Sequence, residues 1–100
     1  MAMIVHVTLP GVTPDQYDAV RKECGWLDEP PTGGLGHLTW FDGGDCHNVD
    51  AWESEEAFGA FGEQRLGPAM AAAGVAVEPI VTFNAAHEVF TPIQGQVLAT

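Results

Sequence analysis

The residues best suited to chemistry lie on three short alternating runs. In Cys46-His47-Asn48-Val49-Asp50-Ala51-Trp52, side chains two apart share one face of an extended strand, so Asn48, Asp50 and Trp52 fall together. A plain structural strand has no need of an amide, a carboxylate and an indole in a row, and the set points to a pocket. Between Leu35 and Phe41, the residues His37, Thr39 and Phe41 alternate with Leu38 and Trp40. His6 lies on a third run, Ile4 to Leu9. Imidazole titrates near neutrality, so His6 or His37, oriented by Asp50, suits proton abstraction from a phenol or an activated carbon. The competing reading gives each group a structural duty. Trp52 then fills the interior, Asn48 satisfies backbone groups, and the histidines bond locally.

Other chemistries find less support. His6, His37, His87 and Asp50 could offer nitrogen and oxygen ligands from separate strands. No HExxH, HxH or CxxC spacing accompanies them, so no metal is assigned. No flavin or nicotinamide fingerprint is present, and Gly33-Gly34-Leu35-Gly36 lacks the Lys-Ser/Thr of a phosphate loop, so no cofactor is assigned. No GxSxG occurs, and Cys24 ends a helix, where the dipole disfavours a thiolate. His47 points away from Asn48, and the side of His87 depends on a bulge expected in the last strand.

Local signals define the elements that carry these groups. Ile4 to Leu9 is β-branched and alternating, and Pro10-Gly11 ends it. Thr13-Pro14-Asp15-Gln16 combines an N-cap threonine, a proline at the first helical position and a glutamine that closes a capping box. Tyr17, Val20 and Cys24 recur at helical spacing, and Gly25 stops the helix. Trp26 to Gly34 is a loop. Asp42-Gly43-Gly44-Asp45 is hairpin chemistry between the second and third strands. Ser54 caps a second helix with Glu55 and Glu56 in its first turn, and Gly67-Pro68 should kink or split it. Gly74 ends that helix, and Val75 to about Glu88 reads as a fourth strand containing a bulge.

The order β-α-β-β-α-β predicts a single α+β, ferredoxin-like domain over residues 1–100, with a core at about 3–90 and a tail at 91–100. Four antiparallel strands carry two helices on one face. The uncovered face is expected to hold Ile4, His6, Thr8, His37, Thr39, Phe41, Asn48, Asp50 and Trp52. Two such faces meeting in a homodimer would enclose a semi-polar chamber.

Composition narrows the partners. Three Lys and Arg against fourteen Asp and Glu leave a net charge of −11, which repels phosphate backbones and anionic lipid. Nucleic-acid and membrane partners are therefore not expected. The chain has no 18-residue apolar run, and its first residues lack a basic signal region, so the expected location is cytoplasmic. Cys24 and Cys46 form no disulfide framework, although a single bridge between them stays open.

The element order, the Gly11-Val12-Thr13-Pro14-Asp15-Gln16-Tyr17 helix opening and the Trp52-Glu53-Ser54-Glu55-Glu56-Ala57-Phe58 junction resemble the dimeric α+β barrel superfamily. The antibiotic biosynthesis monooxygenase-like branch is the one they look like, over residues 3 to 90. Members include cofactor-independent oxygenases acting on polyaromatic substrates, haem-degrading enzymes, isomerases, decarboxylases and proteins without known activity. In the quinone-forming oxygenases, an Asn and a Trp at the spacing of Asn48 and Trp52 handle substrate and oxygen. The resemblance thus implies Asn48 as a donor to a phenol or oxyanion and Trp52 as a wall for an aromatic ring. His6, His37, Asn48 and Asp50 become the catalytic candidates, with Trp52, Phe41 and Thr39 against a small aromatic or hydrophobic metabolite. The expected activity is cofactor-independent monooxygenation of an aromatic, polyketide-like compound. The alternatives are a non-catalytic metabolite-binding or stress-related barrel protein, and an interaction protein with a closed cavity.

Overall fold

The computed structural model describes residues 1–92. Strand β1 (Met3–Pro10) leads into helix α1 (Pro14–Cys24), followed by β2 (Gly34–Asp42) and β3 (Asp45–Trp52). A second helical stretch comprises α2 (Glu55–Phe61), a π-helical turn (Gly62–Leu66) and α3 (Gly67–Ala72), and β4 (Ile80–Ala85) completes the sheet. The strands are antiparallel in the order β2-β3-β1-β4, the ferredoxin-like arrangement.

The first helix forms as its opening residues dictate. Thr13 Oγ1 accepts from the Gln16 N–H at 3.2 Å while the Thr13 N–H donates to Gln16 Oε1 at 2.9 Å. Gly25 closes the helix at φ 70°, and its N–H donates to the Arg21 carbonyl. Thr13→Ala is expected to lower unfolding free energy by about 1 kcal/mol, read from denaturant midpoints at unchanged slope.

The β2–β3 hairpin turns on Gly43 and Gly44, at φ 62° and 81°, where both central residues must adopt the left-handed region. This tight turn sets Thr39 opposite Asn48 and His37 opposite Asp50. In the second helical stretch, Pro68 removes a helical donor, and the chain widens just before it. The Gly67 N–H reaches back five residues to the Gly62 carbonyl, so the helix bulges rather than breaks.

The core lies between the sheet and the helices. Val5, Val7 and Leu9 of β1 and Cys46 and Trp52 of β3 meet Val20 of α1 and Met70 of α3 there. Val75 is buried in the segment after α3, which runs without strand structure until Ile80. The expected start of the fourth strand at Val75 is thus corrected. His87 lies beyond the end of β4 and is exposed. Residues 93–100 of the expected tail lie outside the described residues.

The sheet faces require a larger correction. Val5, whose side chain is in the core, is paired with Asp50, and Asp50 is paired with His37. Directly paired residues point to the same side of a sheet. His37, Thr39, Phe41, Asn48, Asp50 and Trp52 therefore lie on the helix face, not the open one. His6 stays on the open face with Ile4 and Thr8, alongside Trp40, His47 and Leu38. Trp52 decides the matter physically. Its indole is only 3% exposed and packs on Phe58 and Phe61, with ring centroids at 5.7 and 5.3 Å. Burying that ring and Cys46 draws the polar residues between them to the same side.

Candidate active site

A continuous hydrogen-bonded line crosses the helix face at the β2 edge. Asp50 is its anchor. Trp52 Nε1–H donates to Asp50 Oδ2 at 3.2 Å, and His37 Nδ1–H donates to Asp50 Oδ1 at 2.6 Å. With Nδ1 so engaged, Nε2 is the working nitrogen of His37. The Tyr17 hydroxyl lies 2.8 Å from Nε2, and Thr39 Oγ1 lies at the same distance, 2.8 Å. Thr39 also reaches Asn48 Oδ1 at 2.7 Å, and Asn48 Nδ2 donates to the Val7 carbonyl at 3.2 Å. Asp50 is largely covered, its side chain 12% exposed, whereas the imidazole is 34% exposed. The line thus runs from the core to a part-exposed imidazole.

Aromatic rings border this imidazole. Tyr17 stacks parallel to His37, with centroids 6.2 Å apart. Trp26 stands edge-on to both, at 5.9 Å from Tyr17 and 5.4 Å from His37. Phe41 meets Tyr17 edge-on at 6.1 Å. Tyr17 lies one turn before buried Val20 on the same helical stripe, but its longer side chain extends past the core to β2. Gly25 turns the chain sharply and brings Trp26 over it. The result is a part-exposed imidazole bordered by three aromatic rings.

Sequence reasoning brought together His37, Thr39, Phe41, Asn48, Asp50 and Trp52, and the structure keeps them on one face. It removes His6, which stacks on Trp40 at 5.9 Å across the sheet. The grouping of His6, His37, His87 and Asp50 as possible metal ligands is not assembled. Among the described residues, no three His, Cys, Asp or Glu side chains converge as a metal site would need. Sequence reasoning assigned no site role to Tyr17 or Trp26. Tyr17 was read as part of the apolar stripe of α1, and Trp26 as loop.

Burial raises the Tyr17 phenol above its ordinary value of 10.0, against the opposing effects of the Thr39 hydrogen bond and Arg21. The phenol therefore stays protonated and acts as a donor. The neutral form is favoured by folding, so its contribution is complete below the unfolded value and is lost as pH rises through the folded one. Tyr17 is the single tyrosine of the chain. Alkaline titration of tyrosinate absorbance should give a midpoint above that of the urea-unfolded chain; equal midpoints would contradict the burial described. Burial also pushes up the Cys46 and Cys24 thiols, and both are free rather than bridged. Neither is suited to act as a nucleophile.

No protein-family model matches the chain, and no curated protein sequence does. Solved structures do match. The monooxygenase ActVA-Orf6 of Streptomyces coelicolor, determined with the ligand nanaomycin D, superimposes with a TM-score of 0.60 at 26% identity, covering 92% of this chain and 93% of that one. SnoaB, a cofactor-independent oxygenase from Streptomyces nogalater, gives 0.61 at 14% identity, covering 88% and 94%. NE2512 from Nitrosomonas europaea, of unknown function, gives 0.67 at 15% identity, covering 92% and 95%. The chain has the ferredoxin-like fold of the antibiotic biosynthesis monooxygenase-like proteins. Among the described residues, no helix is long and apolar enough to cross a membrane.

Proposed function

We propose that this chain is a cofactor-independent, monooxygenase-like enzyme acting on a small aromatic, polyketide-like compound. The observation that carries this reading is the Asp50–His37–Tyr17 line, with contacts of 2.6 and 2.8 Å, set among the rings of Tyr17, Trp26 and Phe41. Asp50 holds the imidazole in one tautomer and stabilises the cation formed when Nε2 takes a proton. The flat walls of Trp26, Tyr17 and Phe41 suit a fused ring system. The likeness to the two oxygenases supports the same class of chemistry.

The reaction needs no electron carrier if the substrate anion is itself the reductant. His37 Nε2 takes a proton from an activated ring methylene, and the electron-rich carbanion reduces dioxygen. The overall change converts one ring methylene and one dioxygen into one ring carbonyl and one water. Two C–H bonds break, one oxygen atom enters the carbonyl, and the other leaves as water with both hydrogens. Asn48 is 6% exposed, with its amide engaged by Thr39 and Val7, so it positions Thr39 rather than meeting substrate. Trp52, buried and bonded to Asp50, anchors the carboxylate.

The test is oxidation of 1,8-dihydroxyanthrone by purified protein under air, followed as quinone absorbance and oxygen uptake. The expected result is product above the uncatalysed rate at one oxygen per quinone. A rate equal to the protein-free control would refute the reading. His6→Ala is expected to leave this rate within about twofold, since His6 sits across the sheet from His37; a loss comparable to that of His37→Ala would contradict the assignment.

The open face supports a homodimer. Leu38 is 68% exposed and Trp40 42%, and Ile4 and Ile80 are also exposed on this side. Apart from Asp42 and Asp45 at the hairpin end, the face carries no charged residue in a chain of net charge −11. A second copy is the partner that such a surface accepts without burying charge. Trp40→Asp should yield monomers by sedimentation equilibrium, and an unchanged mass would count against this interface.

A further inference from the structure

The hydrogen atoms in this network can be assigned one by one. Asn48 Nδ2 donates to the Val7 carbonyl, so its Oδ1 faces Thr39. Were the Thr39 hydroxyl to donate elsewhere, that amide oxygen, buried on a residue 6% exposed, would lose its partner. Among the described residues, no buried side-chain polar atom lacks a partner. The single hydrogen of Thr39 therefore goes to Asn48 Oδ1 at 2.7 Å rather than to the Tyr17 oxygen at 3.2 Å. Two oxygens then lie 2.8 Å from His37 Nε2, and only Tyr17 has a hydrogen to give it. Thr39 Oγ1 presents a lone pair to the same nitrogen. The Tyr17 oxygen is also 3.2 Å from Thr39 Oγ1, but its hydrogen takes the shorter contact, to Nε2 at 2.8 Å, and leaves that lone pair for Nε2 once it is protonated.

We infer that Tyr17 is a second catalytic group whose hydrogen bond is released with proton transfer to His37. In the resting site the Tyr17 hydroxyl donates to Nε2. Release and proton transfer are one event: the Tyr17 hydroxyl swings from the single lone pair of Nε2 to the substrate oxygen as charge develops there, Nε2 takes the substrate proton, and the new N–H donates to Thr39 Oγ1. The proton stays on the imidazole, the substrate keeps the electron pair, and Tyr17 shares its hydrogen without losing it. The raised phenol of Tyr17 agrees with a group that donates and does not ionise. Thr39 is the positioning residue. This inference rests on the base role proposed for His37.

Tyr17→Phe keeps the ring that stacks on His37 and removes only the hydroxyl. With 1,8-dihydroxyanthrone, kcat should fall by about 100-fold, and KM should change by less than about threefold, because the bond forms only to the anion. Bound 1,8-dihydroxyanthraquinone supplies a spectroscopic readout. Its visible band should convert to that of the phenolate at lower pH in the wild type than in Tyr17→Phe. Loss of activity in His37→Ala together with wild-type kcat and an unmoved band in Tyr17→Phe would overturn this inference and leave the base role standing. Full activity in His37→Ala would overturn both.

Discussion

Replacing His37 by alanine should lower turnover of 1,8-dihydroxyanthrone by about 10²- to 10⁴-fold, the range expected on removing a positioned general base. The protein should stay folded. The imidazole is a third exposed, and the cavity it leaves lies at the edge of the sheet rather than in its core. Asp50→Asn should give a smaller loss, because an amide oxygen can still accept from Nδ1–H but no longer balances an imidazolium. His37→Gln should not rescue the alanine variant, since an amide cannot take the proton. Steady-state rates paired with circular dichroism separate these outcomes. A folded His37→Ala protein with wild-type rates would remove the base from the scheme.

Trp52→Ala should lower unfolding free energy by about 3–5 kcal/mol, the usual cost of emptying a buried aromatic site. Domains of this size have a total of about 5–15 kcal/mol, so the variant should lose a large share of its stability. Trp52 carries several structural duties at once. It packs against Phe58 and Phe61, closes the core beside Met3 at the start of β1, and ties down Asp50. Trp52→Phe retains most of the packing and loses the N–H. It should therefore be folded but slower, because Asp50 loses one of its two holds. Urea denaturation gives the first number, and rates on the folded variant give the second. Equal stability of Trp52→Ala and the wild type would contradict the core role.

The parts of this fold set by local rules were readable from the chain. Thr13, Pro14 and Gln16 define the start of α1, Gly25 its end, Ser54 the start of α2, and the Gly43-Gly44 turn the β2–β3 register. That register alone places His37 beside Asp50 and Thr39 beside Asn48. The pairing of β3 with β1 was not readable, because no tight turn joins them and their parity depends on tertiary packing. The sequence placed Asn48, Asp50 and Trp52 together on the uncovered face. The structure reverses this because Trp52 and Cys46 gain more by burial, while the polar groups between them bond to one another. Tyr17 and Trp26 were missed for a related reason. A tyrosine at helical spacing reads as core, and nothing local shows that its hydroxyl reaches across to β2.

The most direct measurement is the imidazole NMR spectrum of the protein, in which His37 reports on the helix face of the sheet and His6 and His47 on the open face. Titration with 1,8-dihydroxyanthraquinone should shift the His37 signals strongly and leave those of His6 and His47 in place. Movement of His6 and His47 with His37 unaffected would put the ligand on the opposite side of the sheet and contradict the account.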